Sequence, residues 1–175
     1  IQFDPPTDAD PQSVTQRVTH GDNSVETMSL SYGRVRRVER PPKIVDGKEV
    51  LQSPLEYSYE FCPEGQSANL CGGYPPGTEI IVVYDPDSGI TERYLKIAGE
   101  ERLISRIQAN GVETVFEYDS KGELIRSSIM YKGRVRETFE YSTSEAGNQI
   151  LKTSEGVEEE YSSDGTILFH TTPEG

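Results

Sequence analysis

The stretch from Asn110 to Ser127, NGVETVFEYDSKGELIRS, constrains the fold more than any other in the chain. It opens on Asn-Gly, a dipeptide that takes positive φ at low cost and so favours a two-residue type I′ hairpin turn. Val112, Thr114, Phe116 and Tyr118 then recur at every second position, the period of a half-covered strand. The strand ends in Tyr-Asp-x-x-Gly-x-Leu, whose Asp and Gly are turn residues. A two-residue turn at Asn110-Gly111 predicts Ile107 opposite Thr114, Ser105 opposite Phe116 and Leu103 opposite Tyr118. It also sets Arg106 near Glu113 and Glu117 on the other face.

The same pattern recurs along the chain. Asp46-Gly47, Ala98-Gly99, Lys132-Gly133 and Glu155-Gly156 each divide two strand-like runs and are predicted as two-residue turns. Leu55, Tyr57, Tyr59 and Phe61 alternate with Glu56, Ser58 and Glu60, the signature of a strand wet on one side. Ile80 to Tyr84 is apolar on both faces and is expected at the centre of a sheet. VETMSLSY reads as a strand broken by Gly33, and the run Arg34, Val35, Arg36, Arg37, Val38 as a strand with its arginines in solvent. The pattern predicts an all-β fold, an antiparallel meander of sequential β-hairpins forming a curled sheet or open barrel. Residues 1–24, rich in Asp, Pro, Gln and Thr, are expected to be a flexible leader; residues 25–175 form the β-hairpin repeat domain, with a cysteine loop at 62–71.

A net charge of −13 argues against nucleic acid, whose phosphates need clustered cations, and against anionic lipid. No run is long enough for a membrane-spanning helix, so direct membrane insertion is not expected. Cys62 and Cys71 are the two cysteines, and a bond between them would close a short loop and contribute roughly 2–3 kcal/mol. A metal site would need more ligands, and His20 and His170 are distant in sequence. The disulfide reading implies an oxidising compartment: periplasmic, cell-surface or secreted. No signal peptide is visible, so the sequence reads as a mature or trimmed chain whose targeting segment was removed, and a lipid anchor or larger precursor upstream of residue 1 is compatible with that reading.

Four strand ends share one motif: Tyr84-Asp85 with Gly89, Tyr118-Asp119 with Gly122, Tyr141 with Gly147, and Tyr161 with Gly165. Each tyrosine can pack its ring on the sheet, the Asp can accept backbone N–H groups two residues on, and the Gly takes positive φ; all three roles are structural. The motif resembles the tyrosine-aspartate (YD) repeat of bacterial rearrangement-hot-spot proteins, toxin-complex shells and animal teneurins, over roughly residues 77–171. That resemblance implies antiparallel ribbons coiling into a shell or barrel-like wrap, with protein or carbohydrate binding. About four copies are too few to enclose a cargo alone.

Catalytic and cofactor motifs are absent from the sequence: no Gly-x-Ser-x-Gly, no phosphate-binding glycine loop, no His-Glu-x-x-His. Asp85-Pro-Asp87-Ser-Gly89 is similar to the start of a calcium loop, but the position of its terminal Glu is Lys96, so it reads as a turn. No cofactor, metal or catalytic residue is therefore assigned. The function expected is a non-catalytic secreted or periplasmic binding and scaffolding module that presents a sheet surface, through aromatic side chains, to a protein or carbohydrate partner. The alternative is a structural spacer or detached fragment of a larger YD-repeat shell, with a glycan-processing enzyme a distant third.

Overall fold

A computed structural model describes residues 2–4, 13–22, 24–62 and 75–173. Among them every regular element is a strand, sixteen in all, and the fold is an antiparallel meander of sequential hairpins. The chain divides into two compact units, Ile1–Glu60 with Ile81–Thr91, and Phe61–Ile80 with Glu92–Gly175.

The first unit runs through β1 (Gln2–Asp4), β2 (Ser13–Thr19), β3 (Val25–Ser31), β4 (Arg34–Glu39) and β7 (Leu55–Phe61), hydrogen-bonded in that order, with β8 (Glu79–Asp85) next. The chain upstream of Val25 is therefore not simply a leader: β2 pairs with β3 along its whole length, from Ser13↔Ser31 to Thr19↔Val25. The β-branched Val14, Thr15, Val18 and Thr19 supply the strand propensity, and the His20 amide donates to the Ser24 carbonyl to close the turn. β3 and β4 meet at Tyr32-Gly33, both at positive φ (51° and 73°), a type I′ turn. Beyond it Leu30 faces Val35 but Ser29 faces Arg37, so Arg36 is the extra residue of a bulge. The bulge brings Val35 and Val38, three apart, to the same face as Leu30 and Met28. Val38 (5 % exposed) and Val82 (7 %) are this unit's buried apolar residues among those described.

β5 (Lys43–Val45) and β6 (Lys48–Val50) are a two-stranded sheet of their own, joined as expected by Asp46-Gly47 at φ 51° and 74°.

The second unit holds β9 (Ile90–Ile97), mostly, then β10 (Glu100–Ile107), β11 (Val112–Tyr118), β12 (Leu124–Tyr131), β13 (Arg134–Thr143), β14 (Gln149–Thr153), β15 (Glu158–Tyr161) and β16 (Ile167–Thr171) in sequence order. The strand order does not close into a barrel: β1 stands at one end of it and β16 at the other. Ala98-Gly99 and Lys132-Gly133 are the expected two-residue turns, all four residues at positive φ.

Asn110-Gly111 and Glu155-Gly156 are not. At the first, the Gly111 amide donates to the Gln108 carbonyl and the Gln108 amide to the Val112 carbonyl. The loop is thus three residues, a type I turn followed by a bulge with Gly111 at φ 80°. Asn110 occupies the turn's third position, where its Oδ1 accepts the Val112 amide at 3.0 Å. The extra residue moves the register by one: Ser105 faces Val115, Arg106 faces Thr114 and Ile107 faces Glu113, correcting the pairs expected from a two-residue turn. Arg106 consequently pairs with Glu92 (3.0 Å), Ser105 Oγ donates to Glu113 (2.6 Å), and Glu117 lies against Arg126. The same closing bonds recur at Asp119–Gly122, Ser144–Gly147, Thr153–Gly156 and Ser162–Gly165.

Among the described residues the buried apolar side chains of this unit are Cys62, Ile80, Leu95, Ile97 and Ile104. Cys71 lies outside the described residues, as does the rest of the predicted 62–71 loop.

Candidate functional site

The four motif copies are placed at strand ends, as structural pieces. Asp119 Oδ1 accepts the amides of Lys121 and Glu123, both at 2.9 Å, and these bonds, the Glu123 one foremost, hold its carboxyl below the ordinary range. The Tyr118 hydroxyl donates to the Leu103 carbonyl at 2.9 Å, and burial pushes its phenol up. The Tyr141 hydroxyl shares a hydrogen bond with the buried Ser127 hydroxyl, at 3.0 Å. The Tyr161 hydroxyl donates to Glu159, which also meets His170 Nδ1 at 2.9 Å; the two partners lower the Glu159 carboxyl. These hydroxyls are bonded to partners on the sheet, so the repeat tyrosines are poorer candidates for the contact surface; Tyr84 is more open, at 38 % exposure.

Across the second unit a row of alternating charge follows the register: Glu117↔Arg126, Arg126↔Glu140, Glu140↔Lys152, Lys152↔Glu158. The ion pairs along it measure 3.6 Å, 3.0 Å and 3.1 Å for Glu117–Arg126, Arg126–Glu140 and Lys152–Glu158. A groove of about 470 Å³ over this row is lined also by Ile125 and Tyr141. Opposite charges on neighbouring strands neutralise each other and leave an evenly polar face.

The first unit contains the arrangement with the clearest bearing on function. β5 and β6 are exposed at every residue from 42 to 51, with Ile44 at 65 % and Leu51 at 85 %. Their base is fastened by Arg40. Its Nε and Nη2 both donate to the Ser53 carbonyl (2.9 and 2.6 Å), and Nη2 also reaches Asp85 Oδ1 (2.8 Å) and Asp87 Oδ2 (2.9 Å). Ser53 returns its amide to Asp87 Oδ2 at 3.0 Å, and Gln52 Nε2 donates to the Pro41 carbonyl at 2.6 Å, closing the neck. Burial pushes the Asp85 carboxyl up, but hydrogen bonds from Arg40, Ser88 and the Asp87 amide outweigh it and hold the group below its ordinary value. The Asp85-to-Gly89 segment is thus a turn whose two carboxylates clamp Arg40.

A second cationic feature lies on β4. The guanidinium groups of Arg34 and Arg36 sit 5.1 and 5.4 Å from the Tyr59 ring centroid, and the Tyr59 hydroxyl donates to the Val35 carbonyl. These arginines lie over an aromatic ring and not simply in solvent. Among the described residues no group of three or more His, Cys, Asp or Glu is placed to hold a metal ion, and no helix is long and apolar enough to cross a membrane.

Two features escaped the sequence reading. The Arg40 clamp joins residues 45 and 47 positions apart, beyond any local pattern. The other was legible: Gly33-Arg34-Val35-Arg36 recurs as Gly133-Arg134-Val135-Arg136. Both copies follow a type I′ turn, and both bulge at the second arginine, since Met130 faces Val135 while Ile129 faces Glu137. No protein-family model and no curated protein matches the chain, so its likeness to YD repeats rests on the residues alone.

Proposed function

We propose that the chain is a non-catalytic binding and scaffolding module of the secreted or periplasmic space, and that its contact element is the β5–β6 hairpin. The observation that carries this reading is a hairpin that, among the described residues, pairs with no other strand and is exposed throughout, yet is fastened at its base by the Arg40 clamp. A lone two-stranded hairpin is marginal in water, and exposed Ile44, Val45, Val50 and Leu51 gain most by being covered. The hydroxyls of Tyr118, Tyr141 and Tyr161 serve the sheet, so the hairpin is placed ahead of the aromatic surface expected from the sequence, of which Tyr32, 75 % exposed, is the most open member among the described residues. The compartment rests on a Cys62–Cys71 bond.

The test compares the wild-type chain with an Ile44→Ser/Leu51→Ser variant for direct binding to purified envelope proteins and to a glycan panel. Loss of a specific interaction in the variant, with its circular dichroism unchanged, supports the reading. Binding indifferent to both changes refutes the hairpin as the contact, and hydrolysis of any panel member refutes the non-catalytic assignment.

A second reading, a structural spacer or fragment of a larger YD-repeat shell, draws support from the recurring three-residue turns and the duplicated Gly-Arg-Val-Arg hairpin.

A further inference from the structure

We infer that the outer edge of β6 is a strand-addition site for an extended segment of a partner polypeptide carrying carboxylates and apolar residues at alternate positions of one face. This rests on the binding-module reading and names the partner chemistry of the same hairpin.

The hairpin's hydrogen-bond phase follows from its turn. In a two-residue hairpin the residues flanking the turn, Val45 and Lys48, bond to each other, and so do Lys43 and Val50. The intervening pair, Ile44 and Glu49, turns its N–H and C=O groups outward, as do the next positions along, Pro42 and Leu51. The two edges therefore differ. On the β5 side Pro42 has no N–H to offer, and Pro41 precedes it, the usual way an edge is blunted. On the β6 side Glu49 and Leu51 both offer a donor and an acceptor, and Pro54 lies beyond the hairpin. Among the described residues β6 is the open edge.

The side chains select the partner. Lys43, Val45, Lys48 and Val50 share one face, so each cross-strand pair on it sets a lysine beside a valine. Two lysines with no carboxylate on that face stand out on a chain of net charge −13. A strand added to β6 meets Lys48 and Val50 on this face, and a carboxylate and an apolar side chain two residues apart complement them. On the other face it meets Glu49 and Leu51. The two lysines prefer an acidic segment to a basic one, and a second copy's β6 would bring another lysine to this face instead of a carboxylate.

The experiment uses the full chain, isotope-labelled, and a short synthetic peptide repeating Glu-Thr-Val-Thr, with Lys-Thr-Val-Thr as control. Titration should move and protect the Glu49 and Leu51 amides and leave the control peptide silent. Lys43→Glu/Lys48→Glu, both at exposed positions, should exchange the preference between the two peptides. N-methylating alternate peptide amides in one phase should weaken binding by at least about tenfold, and in the other phase leave it unchanged. Equal effects in both phases, signals moving elsewhere, or no exchange of preference in the charge-reversed chain would each overturn strand addition. Concentration-dependent protection of Glu49 without peptide would overturn the choice of occupant in favour of a second copy. Should strand addition fail while the Ile44→Ser/Leu51→Ser variant still loses an envelope partner, the binding-module reading stands and only this mode falls.

Discussion

Leu95 on β9 is 1 % exposed, the largest fully buried side chain among the described residues, and Leu95→Ala should destabilise the second unit more than any other single truncation. The substitution removes about three carbons from a dry site, and at ~0.8 kcal/mol per methylene the lost transfer energy is ~2.4 kcal/mol. The cavity left behind adds to this, which places the expected cost at about 3 kcal/mol. The same change at Leu168, which is 55 % exposed on β16, should cost no more than about 0.5 kcal/mol. The measurement is urea unfolding followed by tyrosine fluorescence and far-ultraviolet circular dichroism, the chain having ten tyrosines and no tryptophan. Stability change is read from the midpoint at unchanged slope. The second unit has few buried apolar residues, so 3 kcal/mol is a large share of any plausible stability. A cost below about 1 kcal/mol, or one equal to that of Leu168→Ala, would refute the placement of the core around β9.

Gly111→Val puts a β-branched side chain at φ 80° and should cost about 1–3 kcal/mol by thermal denaturation. Lys132→Asn should stabilise by a few tenths of a kcal/mol, roughly, because Asn accepts the φ of 50° that Lys132 holds under strain. Mass spectrometry of the never-reduced protein should find it two hydrogens lighter than the reduced form if Cys62 and Cys71 are bonded; two freely reactive thiols would refute the oxidising compartment. The Asp85 carboxyl is lowered in the fold, so its stabilisation is complete above the unfolded pKa of about 3.9 and is lost as pH falls through the lower folded value. The melting temperature should therefore fall more steeply below pH ~4 in the wild type than in Asp85→Asn.

The strands and their order were legible because period-2 alternation and glycine turns are local signals, and nothing distant overrides them in a meander. The turn lengths were not. Asn-Gly suits both a two-residue type I′ turn and the last two positions of a three-residue turn, and only the closing bonds at Gln108 separate the cases. Hydrophobic patterning could not break the tie, because Ile104 and Ser105, on opposite faces, are both buried. β2 was missed for a compositional reason: its valines and threonines lie among Asp, Pro and Gln, which diluted the strand signal over residues 1–24.

The candidate site shows the same division between local and distant information. Asp46-Gly47 announced the hairpin, and Lys43, Val45, Lys48 and Val50 already explain why it lies outside the main sheet. An antiparallel pair packs most readily on a core when one of its faces is apolar. Here every cross-strand pair of that face couples a lysine to a valine, and the other face couples Ile44 to Glu49. Packing either face against other apolar groups would strip water from a charge with no partner to replace it, at a cost exceeding the gain from two valines or one isoleucine. The hairpin is stranded by its own pattern. What local sequence did not reveal is the clamp: Arg40 meets Asp85 and Asp87 only after β7 and β8 have brought the Asp85-to-Gly89 turn back to the neck. With both carboxylates and the Ser53 carbonyl on a guanidinium whose side chain is 18 % exposed, the neck is held by charge-assisted bonds partly shielded from water. A marginal hairpin is thereby kept in one place, its edge donors already oriented, which lowers the ordering cost of strand addition.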